Sequence, residues 1–164
     1  MEWFALYVKS RHEFVTNYEL QKKGIETFLP SIKKWRQWKD RRRLVEFPLF
    51  PGYLFVYIYP FQEEFLKVIK TSGVVTLVSM EPYRPTPLAP EEINSLKRLI
   101  ESGEELDLYP NLMEGEWVRV KRGLLKDTEG VLERKGDQYM FIVNIKLLGR
   151  SVGATIHADD IERA

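Results

Sequence analysis

The stretch Tyr53-Leu54-Phe55-Val56-Tyr57-Ile58-Tyr59 decides the fold of the N-terminal half of this sequence. Successive side chains of a strand point to opposite faces of a sheet, so the run places its aromatic rings on one face and its aliphatic side chains on the other. We therefore predict a strand with one aromatic and one aliphatic face. The first predicted strand, residues 3–9, adds Trp3 and Tyr7 to the aromatic face.

Further strands and helices are predicted on both sides of this run from hydrophobic periodicity and local propensity. They are strands at 3–9, 25–29 and 74–78, and helices at 11–23, 61–70 and from Pro90 onward. Their order matches the split βαβ plan, an antiparallel sheet with helices on one face. The helix at 11–23 has two apolar stripes, a stronger one of Phe14, Val15 and Tyr18 and a weaker one of Thr16, Leu20 and Gly24.

Residues 33–43 form a strongly basic segment between the second strand and the aromatic run. Its sequence, KKWRQWKDRRR, holds seven basic residues and one acid, with Trp35 and Trp38 between them. Apolar residues on both sides, Ile32 and Leu44-Val45, predict a long hairpin with a basic tip. Such a tip is suited to hold a phosphate backbone, but a charge run is also typical of a solvated face, and both interpretations stay open.

The C-terminal part begins after an acidic segment. Residues 101–116 contain six acids and no base, which predicts a solvated linker. We therefore predict a first domain at 1–102, a linker at 103–113 and a second domain at 114–164.

Short strands with tight turns are predicted throughout the second domain. Strands begin near Trp117, Gly130, Tyr139 and Val152, and residues 135–137 form a hairpin turn. Short strands of this spacing predict a small β-barrel. The fold class of the whole chain is therefore predicted as α+β.

Composition excludes several kinds of function. The 164 residues hold 25 Lys+Arg against 24 Asp+Glu, so bulk charge gives no reason to expect a general nucleic-acid coat. There is no Cys, and the only histidines, His12 and His157, fall in different predicted domains. With no glycine-rich nucleotide loop either, we predict no catalytic activity, no cofactor and no metal. No long apolar stretch or signal pattern appears, so we expect a cytoplasmic monomer away from membranes.

Several motifs resemble one known family. The phrase P-L-F-P-G-Y-L-F-V at 48–56 resembles the central strand entry in the N-terminal domain of NusG-type transcription elongation factors. Residues 3–8, 71–74 and 87–92 resemble the first strand, the T-x-G-V segment and the approach to the last helix of that domain. Residues 115–131 are similar to the KOW motif, and 148–150 and 159–162 resemble the end of the same barrel. The matches cover nearly the whole chain and look most like specialised paralogs of the RfaH and polysaccharide-operon type.

The resemblance implies a fold and a function. It implies a C-terminal SH3-like KOW barrel and an N-terminal domain that docks on the clamp helices of RNA polymerase and suppresses pausing or termination. The KOW domain would recruit a ribosomal protein or a termination factor. In some specialised relatives this domain also folds as a helical hairpin, which masks the polymerase-binding site. The β-branched residues and glycines here favour a permanently β domain.

Site residues follow from the resemblance and from the residues themselves. An exposed aromatic patch usually marks a partner, and the family places its clamp-helix contact on the same three residues, Tyr7, Tyr53 and Phe55. The resemblance implies that the non-template DNA strand contacts Lys9, Arg11 and His12. The basic segment itself implies phosphate contact at Lys39, Arg41, Arg42 and Arg43. The resemblance also implies a partner site of the KOW domain at Leu147, Leu148 and Arg150, where NusG has an aromatic residue in place of Leu148.

A rival interpretation uses the same rings. Gly52 to Val56 loosely echoes an RNA-recognition strand, in which sheet aromatics stack on unpaired bases. The alternative function is therefore a general RNA-binding or ribosome-associated KOW protein.

Overall fold

A computed structural model describes residues 1–110, 115–135 and 138–164 and confirms the α+β fold class. Close contacts divide the chain into two units, Met1–Leu88 and Ala89–Ala164. No described helix is long and apolar enough to cross a membrane.

The N-terminal unit is built on an antiparallel sheet. Its elements are β1 (Glu2–Val8), α1 (Glu13–Lys22), β2 (Glu26–Phe28), β3 (Ser31–Trp38), β4 (Arg41–Pro48), β5 (Tyr53–Ile58), α2 (Gln62–Ile69), β6 (Val74–Leu77) and β7 (Pro87–Leu88). The strand order is β2-β5-β1-β6, and β7 also pairs with β1. All of these pairs are antiparallel, as predicted.

One face of this sheet forms the main core of the unit. Leu6 pairs with Leu54, and the aliphatic side chains of β1 and β5 pack with Leu20 of α1 and Val68 of α2. Each such side chain, fully buried, contributes on the order of 1.5–3 kcal/mol. The core therefore lies where the alternation of residues 53–59 predicts an aliphatic face.

Helix α1 buries the weaker of its two predicted stripes. Thr16 and Leu20 are buried, whereas Phe14, Val15 and Tyr18 are 40–60% exposed. The buried Thr16 hydroxyl donates to the Ser72 carbonyl oxygen at 2.9 Å, so a polar side chain fits on the inner side of this helix.

Strands β3 and β4 form a separate two-stranded sheet, which confirms the predicted hairpin. Their register pairs Ser31 with Pro48 at the base and Trp38 with Arg41 at the tip. The turn holds two residues, and Lys39 has a positive φ of 53°, a conformation typical of such tight hairpin connections.

The C-terminal unit combines one helix with a second antiparallel sheet. Its elements are α3 (Pro90–Glu101), β8 (Asp107–Pro110), β9 (Glu116–Val120), β10 (Glu129–Lys135), β11 (Gln138–Ile145), β12 (Arg150–Ile156) and β13 (Ile161–Arg163). The strand order is β13-β9-β10-β11-β12-β8. The described part of this unit outside α3 is thus built from strands, as predicted.

The acidic segment, which the sequence predicts to be a linker, contains a strand. Residues 107–110 form β8, which pairs with β12 from Asp107↔Gly153 to Pro110↔Arg150. A strand this short carries little hydrophobic pattern of its own, so it is formed because the edge of β12 offers it backbone partners. The predicted domain boundaries stay predictions, although close contacts group α3 with the second unit. The predicted turn at 135–137 includes residues 136 and 137, which lie outside the described residues.

Candidate functional site

The exposed part of the aromatic face is a pair of tyrosines on neighbouring strands. Tyr7 of β1 lies directly opposite Tyr53 of β5, and the two ring centroids are 5.4 Å apart. Tyr7 is 43% exposed, and Tyr53 is half-buried. Two adjacent tyrosines offer an apolar surface with hydroxyl groups at its rim, a combination common at protein interfaces.

Gly52 makes room for this pair. It has a φ of +87°, and a Cβ added there would lie 3.2 Å from Cε2 of Tyr7. The Val8 amide also donates to the Gly52 carbonyl oxygen at 2.8 Å. The Pro51-Gly52 turn thus supports one side of the Tyr7 ring, and we call Tyr7 and Tyr53 the tyrosine pair.

Phe55, the third predicted docking residue, is buried. It shares the face of the tyrosine pair, as the alternation predicts, but its side chain has no exposed surface. Its ring stacks on Phe28 with centroids 6.0 Å apart and meets the edge of Phe50 at 6.3 Å. Trp3, also on this face, is 7% exposed and packs against Tyr57 at 5.0 Å. The aromatic face is therefore a second core that opens to solvent at Tyr7.

The predicted contacts Lys9, Arg11 and His12 lie on an exposed turn between β1 and α1. Arg11 adopts a positive φ of 63°, and the His12 ring nitrogen Nδ1 is 2.8 Å from the Ser10 carbonyl oxygen. The Lys9 amide donates to the Gly73 carbonyl oxygen at 2.9 Å. Three basic or titratable side chains are thereby presented to solvent on a defined backbone.

Gly73 lets this turn approach the T-x-G-V segment. Its φ is +90°, and a Cβ added there would lie 2.1 Å from Oγ1 of Thr16 and 3.2 Å from Cβ of His12. Any larger residue would therefore push the turn and the start of α1 away from Ser72. The glycine fixes the position of the basic turn.

The other predicted nucleic-acid residues lie at the end of the β3–β4 hairpin. Lys39, Arg41, Arg42 and Arg43 are all exposed, as is every residue from 33 to 44. Trp35 and Trp38 are 60% and 58% exposed, so they do not pack in the hairpin stem. The hairpin thus offers cations and large rings to solvent along most of its length.

The predicted KOW partner residues lie around a tight turn between β11 and β12. A 3-10 helix at Lys146–Leu148 leads to Gly149, which has a φ of +60°. Leu147 and Leu148 are half-buried, and Arg150 is exposed. The structure therefore brings the three residues together on one turn.

Helix α3 makes a contact beside this turn that the sequence does not indicate. The Glu92 carboxylate of α3 interacts with the backbone and the charge of Lys146. Burial raises the pKa of Glu92, and the Lys146 hydrogen bond and charge oppose that rise in part. No local signal predicts such a contact, since Glu92 also suits the first helical turn on its own.

No cluster of catalytic groups is found in the described part of the chain. A described groove of about 740 Å³ is lined by apolar residues, such as Phe65, Ile69 and Pro85, together with polar ones, and its only carboxylate is that of Glu2. Among residues 1–110, 115–135 and 138–164, no group of three His, Cys, Asp or Glu side chains is placed to hold a metal ion. The candidate sites are therefore surfaces.

The fold and these surfaces define an α+β protein with an exposed tyrosine pair, a basic turn and a basic hairpin. Residues 1–97 match the family model described as "Transcription termination factor nusG". The chain therefore belongs to the NusG family of transcription termination/antitermination proteins.

Similar proteins extend this match over nearly the whole chain. The NusG transcription termination/antitermination protein of Halalkalibacterium halodurans is 24% identical and covers 98% of this chain and 97% of its own length. That of Staphylococcus epidermidis RP62A is 28% identical, with 98% and 94% covered. A solved structure reported as "Domain interaction in Thermotoga maritima NusG" covers 99% of this chain and 96% of that one, with 21% identity and a TM-score of 0.56. This structural likeness supports the fold.

Proposed function

We propose that this protein is an elongation or antitermination factor that docks on the clamp helices of RNA polymerase through the tyrosine pair. The observation that carries the proposal is the exposure of Tyr7 beside Tyr53 at the open end of an otherwise buried aromatic face. Interface hot spots are enriched in tyrosine and lie in well-supported apolar patches. Here the support comes from Gly52 beneath the Tyr7 ring. In this proposal the buried Phe55 ring stabilises the sheet face that carries the tyrosine pair.

Nucleic acid forms the second part of the proposal. Once the protein is docked on polymerase, the basic turn at Lys9, Arg11 and His12 contacts the exposed non-template strand, and the hairpin contacts phosphates. Both segments are exposed and held by defined backbone geometry. Bound in this way, the protein suppresses pausing or termination.

The third part of the proposal concerns the C-terminal sheet. The turn carrying Leu147, Leu148 and Arg150 recruits a further factor, such as a ribosomal protein or a termination factor. Leu148, which replaces the family's aromatic residue, keeps an apolar contact but removes a ring. We therefore expect the turn to bind fewer different partner proteins, as a specialised paralog would.

RNA stacking on the sheet is the weaker alternative. Sheet readers of RNA stack two or three bases on exposed aromatic residues. Of the three predicted docking residues, Phe55 is buried, Tyr53 is half-buried and only Tyr7 is markedly exposed. Comparing the affinity for purified polymerase with that for a single-stranded RNA separates the two functions.

Replacing Tyr7 tests the docking proposal. Hot-spot aromatics typically contribute about 2 kcal/mol or more, so we expect Tyr7→Ala to weaken binding to purified core polymerase roughly 30-fold. Binding is measured by interferometry with immobilised polymerase, and circular dichroism checks that the variant is folded.

Tyr59→Ala is the matched control, because Tyr59 is another exposed tyrosine, 51% accessible, that stacks on Phe61 instead. We expect it to bind polymerase as the unmodified protein does. Equal binding by folded Tyr7→Ala and Tyr59→Ala proteins would exclude the tyrosine pair as the docking surface.

A further inference from the structure

The register of the β3–β4 hairpin sorts its basic residues onto two different faces. Residues directly opposite each other share a face, and successive pairs alternate between the faces. The pairs Lys34↔Val45, Arg36↔Arg43 and Trp38↔Arg41 therefore share what we call the basic face. What we call the mixed face carries Lys33, Trp35, Gln37, Arg42, Leu44 and Glu46.

The two faces differ in charge. The basic face carries Lys34, Arg36, Arg41 and Arg43 and no acid, whereas the mixed face includes Glu46. In the part of the chain that the structure describes, none of these four cations forms an ion pair with a carboxylate. Their charge is therefore not neutralised by the surrounding fold.

The pairing of Arg36 with Arg43 is unfavourable for the hairpin itself. Like charges directly opposite each other destabilise an antiparallel pair. Residues 31–48 hold seven basic and two acidic residues, and the rest of the chain holds 18 basic and 22 acidic residues. Positive charge is thus concentrated on a ribbon that folds in spite of it, and a polyanion bound to the basic face would relieve the repulsion.

The side-chain contacts indicate which polyanion fits. Proteins that bind single strands stack successive bases on several exposed rings. On the basic face, Trp38 is exposed but the half-buried Phe47 ring is covered by the Arg36 guanidinium at 4.6 Å. The basic face therefore lacks the row of exposed rings that a single strand needs. A two-stranded ribbon fits the major groove of a duplex, and the alternate side chains along each of its strands are about 7 Å apart. The basic face therefore suits a duplex better than a single strand.

The mixed face carries two cations, Lys33 and Arg42, and the carboxylate of Glu46, against four cations and no acid on the basic face. The Arg42 guanidinium lies over the exposed Trp35 ring, 5.6 Å from the centroid. Leu44, the cross-strand partner of Trp35, is 50% exposed, so this face is partly apolar. It offers a poorer surface to phosphates than the basic face does.

We propose that the basic face of the hairpin binds the sugar–phosphate backbone of a nucleic-acid duplex and that the mixed face does not. The inference deepens the nucleic-acid part of the proposed function and rests on it. It assigns the phosphate contact to Lys34, Arg36, Arg41 and Arg43. It excludes Arg42 from that contact, although Arg42 lies between Arg41 and Arg43 in the sequence. Because the contacts are to phosphates, the binding is independent of sequence.

Two charge-matched double variants of the full chain test this assignment. Arg41→Gln/Arg43→Gln removes two cations from the basic face, and Lys33→Gln/Arg42→Gln removes two from the mixed face. Fluorescence anisotropy with a labelled duplex DNA of arbitrary sequence gives the affinity at several salt concentrations. Each lost phosphate contact lowers the slope of log affinity against log salt by about 0.9, so the first variant loses roughly 1.8 and the second keeps the unmodified slope.

Three outcomes would overturn the inference. They are equal losses of slope in the two variants, tighter binding of a single strand of the same length, and no measurable duplex binding by the unmodified protein at low salt. All substituted residues are exposed, so circular dichroism should show both variants folded. Because no polymerase is present, failure here leaves the tyrosine-pair proposal to be decided by Tyr7→Ala.

Discussion

Residues of one sheet face have opposite roles in this protein. Tyr7, Tyr53 and Phe55 point the same way from β1 and β5, but Phe55 is enclosed by Phe28 and Phe50 while Tyr7 is open to solvent. Alternation alone predicts the shared face, because a strand has a period of two. It does not predict exposure, because that depends on segments distant in sequence that cover the face.

Phe55→Ala should therefore act on stability. Truncating a fully buried phenylalanine costs about 3–5 kcal/mol through lost transfer energy and the cavity left behind. We expect a large drop in the urea midpoint for Phe55→Ala, whereas Tyr7→Ala, at an exposed position, stays close to the unmodified protein. Urea unfolding followed by far-UV circular dichroism measures both. An unchanged midpoint for Phe55→Ala would mean that its ring is not part of the core.

Glu92 provides a pH-dependent contact at the residue scale. Burial raises its pKa above the ordinary value of 4.5, so the folded state holds the proton more tightly than the unfolded state does. The stability contributed by this group is thus fully present below the unfolded pKa and is lost as pH rises through the folded pKa. Glu92→Gln should be more thermostable than the unmodified protein at pH 7, with the difference shrinking as pH falls.

Thermal unfolding between pH 4 and 7 measures that difference. An NMR titration of the Glu92 carboxyl carbon measures the pKa directly, and a midpoint at or below 4.5 would contradict the expected direction. Glu92→Ala serves as a second variant, because it also removes the side chain that interacts with Lys146. We expect it to be less stable than Glu92→Gln at every pH.

Elements with a strong periodic pattern could be predicted from the sequence, and elements without one could not. The β3–β4 hairpin and β5 appear where the residues predict them. Helix α1 buries Thr16, since a neighbouring carbonyl satisfies its hydroxyl, although the stripe of Phe14, Val15 and Tyr18 is more apolar. Strand β8 is set by pairing with β12, which is a long-range interaction and leaves no local signal.

The candidate site was predictable in residue type and less so in geometry. The basic run at 33–43 indicates phosphate contact, and alternation along a strand separates Arg42 from Arg41 and Arg43. Only the register shows which residues of β3 share a face with each of them. That register depends on the two-residue turn at Lys39, where the positive φ carries no unambiguous sequence signal. Lysine is not a usual residue for such a turn.

At the scale of the whole molecule, β8 changes how the C-terminal unit can be isolated. A fragment beginning at residue 112 lacks β8 and leaves the edge of β12 unpaired. We expect a fragment of residues 89–164 to show amide NMR shifts of β type for β9 to β13 that overlay those of the full chain, while α3 adds a helical contribution to its circular dichroism. A fragment of residues 112–164 should unfold at a lower urea concentration than the fragment of residues 89–164, because it lacks β8.

The outcome also bears on whether this unit ever becomes helical. In the described part of residues 116–163, the chain forms strands β9 to β13, joined by turns and by two short 3-10 helices. Helical amide shifts for residues 138–145 in the full-length protein would contradict a permanently β unit. Matching β shifts in the longer fragment and in the full chain would confirm it.

The charge-segregated hairpin has a kinetic consequence. A molecule with a formal charge of +1 feels almost no net pull toward DNA at long range, so the attraction comes from the hairpin, whose residues 31–48 hold seven basic and two acidic residues. We therefore expect salt to slow productive association more than it speeds dissociation, since steering acts before contact.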